Sequence, residues 1–197
     1  MSDQGQDVNE IEEGLFLSSR EVAENEEALT SIGITHILTV DTWPLRLHLF
    51  TRPENFVSLY LRKNDDDNVD LLSHFEDCNE FIRRGSNVLV HCHVGVSRSA
   101  IIVLAFLMNK YRISYEEALA RVRAKRPVAP NDGFVDQLKL YERMGFAIDD
   151  TTPSYQLLCL TSIASEVGSY MGFANLPGED RRKLNRYRPT PYEYMPG

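Results

Sequence analysis

Long apolar runs, paired cysteines and an excess of basic charge are all missing from this sequence, and each absence closes off a class of function. The longest apolar run covers residues 100–108, well short of the roughly 20 residues a helix needs to cross a bilayer. Met1 to Glu10 is polar and acidic, unlike a secretory leader. Cys78, Cys92 and Cys159 show no paired spacing, so a disulfide framework is not expected. Lys and Arg number 21 against 29 Asp and Glu, a formal net charge of -8. Non-specific binding to nucleic acid or to an acidic membrane needs the opposite sign. The expected setting is a reducing interior, cytoplasmic and/or nuclear, where a reactive thiol stays free.

What is present fits one domain. Hydrophobic residues make up 43% and charged residues 25% of 197, enough for one sizeable core. Residues 1–11 are expected as a mobile polar lead, 12–146 as the main folded domain, and 147–197 as an extension, partly helical and then poorly ordered. Strands are expected near 14–18, 34–40, 56–61 and 87–90. Ser19 is placed to cap a helix over 20–32, closed by Gly33. Leu71, Phe75, Cys78 and Ile82 fall at helical spacing in a helix opening at Asn68. Further helices are expected after Arg98, through Tyr115 to Val122, through Phe134 to Tyr141, and over 155–173. Strands alternating with helices imply an α/β class, with a central, mostly parallel sheet flanked by helices.

The informative stretch is His91-Cys-His-Val-Gly-Val-Ser-Arg-Ser99. It lies between an apolar strand and an apolar helix, so its amides can curl around an anion at the helix N-terminus. His93, Val94, Gly95, Val96, Ser97 and Arg98 would form that cradle, with Gly95 permitting the tight backbone turn. A guanidinium at Arg98 can clamp two phosphate oxygens. Cys92 lies at the base of the loop, where positive potential favours a thiolate placed to attack phosphorus. Ser99 can donate to the departing sulfur, and His91 is expected to orient the loop and tune the thiolate. An acid for the leaving oxygen must come from elsewhere, with Asp65, Asp66 and Asp67 as candidates. No second ligand pair with metal-like spacing accompanies His91 and His93, and a thiolate with a guanidinium needs no metal for this chemistry, so no cofactor is expected.

The pattern H-C-x-x-G-x-x-R-S resembles the active-site loop of cysteine-based protein phosphatases, and residues 12–145 resemble the small, atypical dual-specificity phosphatases. The resemblance implies the dual-specificity phosphatase fold. It also implies hydrolysis of phosphotyrosine and phosphoserine or phosphothreonine, with phosphorylated proteins as partners; the charge and the short apolar run already speak against nucleic acid and membrane insertion as partners. It selects Asp65 as the acid, because Asn64-Asp65 followed by Leu71-Leu-Ser-His-Phe75 is similar to the family's acid loop and next helix. Pro130-Asn-Asp-Gly-Phe134 is similar to a segment packing near the active-site loop, which gives Asn131 a supporting role. The loop is also similar to that of a subgroup with a C-terminal zinc-binding domain, which is not expected here because only Cys159 follows. Two other readings compete: a binding module without turnover, and a phosphatase of phosphoinositides or RNA 5′ phosphates. The latter usually needs basic residues where this loop has His93, Val94, Val96 and Ser97.

Overall fold

A computed structural model describes residues 7–171 and 193–195. Its sheet has the order β1-β2-β5-β3-β4-β6. The inner strands β2 (Leu15–Ser18), β5 (Val88–His91), β3 (His36–Asp41) and β4 (Val57–Arg62) run parallel. β1 (Val8–Glu12) and β6 (Glu193–Met195) add antiparallel edges.

Alternation along the strands feeds two layers. Leu38, Val40, Val88 and Val90 join the larger core, whereas Ile37 and Leu89 join the smaller one. The larger core is covered by α3 (Phe75–Arg84), α4 (Arg98–Tyr111), α5 (Tyr115–Arg123) and α6 (Asp132–Arg143). α4 is buried on every side from Arg98 to Met108, which explains its continuous apolar sequence. The smaller core packs Ala23 of α1 (Arg20–Ala23) and Leu29 of α2 (Glu26–Ile32) against Phe56 and the sheet. α7 (Pro153–Met171) docks through Ser162, whose Oγ accepts the Asp70 N–H at 3.2 Å. No helix among the described residues is long and apolar enough to cross a membrane.

The fold corrects four expectations. Residues 1–11 are not wholly a mobile lead: Val8–Glu12 pairs with β2, because an edge strand needs backbone partners rather than apolar side chains. The helix over 20–32 breaks at Glu24 and Asn25, and it is Asn25 that caps α2, accepting the Ala28 N–H at 3.0 Å. Ser19 occupies the position before α1 without a side-chain cap bond. Asn68 does not open α3, which starts at Phe75 after a 3-10 turn over Leu72–His74, because the Gln137 side chain takes up the Leu71 and Leu72 N–H groups. In the tail 174–197, expected to be poorly ordered, Glu193–Met195 forms β6; its other residues lie outside the described ones.

Candidate active site

β2, β3 and β5 end together at the carboxyl edge of the parallel sheet, where open α/β folds place their ligands. The register sets Ser18 and Thr39 beside His91. β5 therefore delivers Cys92 to that edge, and α4 begins at Arg98.

Within the loop, Cys92 Sγ receives the Gly95 N–H at 3.2 Å and the Ser99 hydroxyl at 3.2 Å. Both donors stabilise charge on sulfur, and the second is the contact expected for Ser99. Gly95 has φ +77, and a Cβ there would collide with the Ser18 carbonyl, so conformation and space both require glycine.

His91 is fully buried, and Nε2 lies 2.8 Å from Thr39 Oγ1 while Nδ1 lies 3.4 Å from the Cys92 carbonyl. A carbonyl only accepts, which puts the ring proton on Nδ1 and makes the Thr39 hydroxyl the donor to Nε2. Burial pushes the His91 pKa down to about 4, so the ring is neutral at physiological pH. The expected orienting role fits this geometry, but the ring bonds the Cys92 backbone rather than the sulfur.

Arg98 is buried, with Nη1 donating to Asp41 Oδ1 at 2.8 Å and to the Lys63 carbonyl at 3.1 Å. Nε is buried without a hydrogen-bond partner. Asp41 also meets Arg20 Nη1 at 3.2 Å. Burial raises the Asp41 pKa, but the Thr42 N–H and the Arg98 charge outweigh it and hold the carboxyl below the usual range.

Of the three aspartates, Asp65 meets the loop. Its Oδ1 accepts Ser97 Oγ at 2.8 Å and Asn131 Nδ2 at 2.9 Å, and Oδ2 lies 3.7 Å from Arg98 Nε. Asp66 instead accepts the Asn68 N–H at 3.0 Å within its own turn. Asn131 caps α6 by accepting the Phe134 N–H at 2.8 Å, so one side chain ties helix, acid and loop together. The loop opens on a cleft of about 720 Å³ lined by Arg20, Asp41, Trp43, Arg46, His93 and Arg98. Trp43 is 67% exposed on it. Among the described residues no His, Cys, Asp and Glu cluster suits a metal ion. Burial pushes the Cys78 thiol up, in keeping with a core position.

Asp41, Arg20 and Arg126 were not legible as site residues. Arg126 is 4% exposed and donates to the Val94 and Gly95 carbonyls at 3.1 and 2.8 Å. Long-range partners select all three, and nothing local in the sequence marks them.

The model of the dual specificity phosphatase catalytic domain matches residues 15–144. The Drosophila melanogaster dual specificity protein phosphatase MPK-4 is 41% identical over 155 residues, 76% of this chain and 40% of the fly protein. Arabidopsis thaliana dual specificity protein phosphatase 1 is 44% identical over 138 residues, 68% of each chain. The crystal structure of the Yvh1 phosphatase domain from Chaetomium thermophilum superposes with a TM-score of 0.67 at 29% identity, covering 73% of this chain and 99% of that domain. The chain belongs to the dual specificity phosphatase family and contains its catalytic domain.

Proposed function

We propose that the chain hydrolyses phosphotyrosine and phosphoserine or phosphothreonine in proteins through a phosphocysteine intermediate. The observation that carries this reading is Cys92 Sγ held by the Gly95 amide and the Ser99 hydroxyl in the same loop as Arg98. The phosphoryl group lies over the loop amides with Arg98 on its oxygens. The Cys92 thiolate attacks phosphorus and the bond to the leaving oxygen breaks, while Asp65 gives that oxygen its proton. Asp65, now a carboxylate, takes a proton from water. The water oxygen attacks phosphorus, the phosphorus–sulfur bond breaks, and Ser99 donates to the departing sulfur. Asn131 and Ser97 aim Asp65, and Asp41 aims Arg98. The cleft at His93 and Arg98 is where a phosphorylated side chain of either length would approach the loop.

Cys92→Ser tests the reading. Turnover of phosphotyrosyl and phosphothreonyl peptides is expected to fall below detection, while inorganic tungstate still binds. Undiminished turnover in that variant, or peptide binding without turnover in the wild type, contradicts it. The second outcome is that of a module that only binds phosphoproteins.

A further inference from the structure

Anion cradles built from peptide groups work only if the peptide planes are held with their N–H ends inward. The carbonyls of residues 93–97 all have partners. His93 O accepts the Arg20 N–H at 3.1 Å, Val96 O the Ala129 N–H at 2.9 Å and Ser97 O the Ile101 N–H at 3.0 Å. Val94 O and Gly95 O are both held by Arg126, through Nη2 at 3.1 Å and Nε at 2.8 Å. In a trans peptide the C=O of one residue and the N–H of the next point in opposite directions. Fixing these carbonyls therefore turns the amides of residues 94–98 to the opposite side, and Gly95 N–H on Cys92 Sγ is one of them.

Arg126 in turn is held by residues that precede or open β1. Nη1 donates to Asp7 Oδ1 at 2.7 Å and to Asn9 Oδ1 at 2.9 Å, and Nη2 donates to Asp7 Oδ2 at 3.0 Å. All five guanidinium N–H groups thus have acceptors. Asp7 answers in kind: burial raises its pKa, but the hydrogen bonds and charge of Arg126 hold it below the usual carboxylate range.

We infer that Arg126, charge-balanced by Asp7, is a positioning residue that locks the phosphate loop in its anion-binding orientation, so that the segment entering β1 is part of the active site's support. Guanidinium geometry is essential here. A lysine keeps the charge but is a single point, and cannot reach two carbonyls and a carboxylate together. Without Asp7, an almost fully buried cation loses its counter-charge and its fork partner.

The inference rests on the anion-binding role proposed for this loop and is tested apart from turnover, by calorimetric titration of inorganic tungstate into the full chain carrying Cys92→Ser. Adding Arg126→Lys is expected to weaken tungstate binding about 10-fold, from the loss of charge-assisted bonds that aim the amides. Adding Asp7→Ala, a half-exposed position that spares the core, is expected to weaken it several-fold. The double change should weaken it no more than Arg126→Lys alone, because both act through one guanidinium. If both variants bind tungstate within twofold of Cys92→Ser at a temperature where all are folded, Arg126 is structural only and the inference is overturned. Should Arg126→Lys fail to fold, Asp7→Ala decides alone by the same criterion. Tungstate affinity that depends on Arg126 in a chain whose wild type turns over no phosphopeptide would leave this inference standing and sink the proposed function.

Discussion

At the residue scale the site divides its labour among charges that hold each other in place. Asp41 sits between Arg98 and Arg20, and Asp65 between Arg98, Ser97 and Asn131. Neither carboxylate is isolated, so each side chain reaches its position already oriented. Asp65→Asn isolates the proton-transfer step. Its turnover of a phosphoseryl peptide is expected to fall by about 10²–10⁴-fold. Its turnover of nitrophenyl phosphate should fall far less, because nitrophenolate leaves without a proton. Steady-state kinetics on the two substrates checks this, and equal losses would remove Asp65 from the acid role. Arg98→Lys should lower kcat/KM for both substrates on the order of 100-fold, since an ammonium cannot clamp two oxygens at once.

At the element scale, strand ends bring the loop, Asp41 and Thr39 to one edge, and helix starts bring Arg98 and Asn131. α6 packs so closely on the acid loop that a Cβ on Gly133 would collide with the Asp67 backbone. Gly133→Ala should therefore push residues 65–67 away from the loop and cost about 1–3 kcal/mol of stability. Phosphopeptide turnover should drop, while tungstate binding by the same chain with Cys92→Ser holds steady. Denaturant unfolding and calorimetry read the two effects separately. This scale also shows how far the sequence could be read. The loop from His91 to Ser99 was legible, because strand, cradle and helix are contiguous and each has its own local pattern. The inner strands were legible for the same reason. Asp65 was narrowed only to three neighbours by its chemistry, and the family resemblance then picked it out. β1 was missed because an edge strand of polar residues has no apolar alternation. The late start of α3 was missed because Gln137, far along the chain, serves the backbone of Leu71 and Leu72.

At the scale of the whole molecule, the site and the fold share buried groups, so stability should follow pH through them. Burial holds folded His91 at about 4 against 6.5 when unfolded. Between those values the unfolded chain takes up a proton that the fold refuses, so stability is full above 6.5 and falls as pH drops towards 4. At about 1.4 kcal/mol per pH unit, His91 alone accounts for a loss of a few kcal/mol. His74, held to about 4 by burial and by the Lys63 charge, adds a loss in the same window. Urea midpoints from pH 7 to pH 4.5 should fall steadily, and His91→Gln should flatten the slope without removing it. An unchanged slope would mean His91 is not held neutral by the fold. The central claim is that phosphate passes through Cys92, and the most direct measurement is acid quenching of the enzyme during turnover of a radiolabelled phosphotyrosyl peptide. The account predicts label bound to Cys92 through sulfur and lost in Cys92→Ser. Label on another residue, or turnover with no labelled enzyme and no loss in Cys92→Ser, would contradict it.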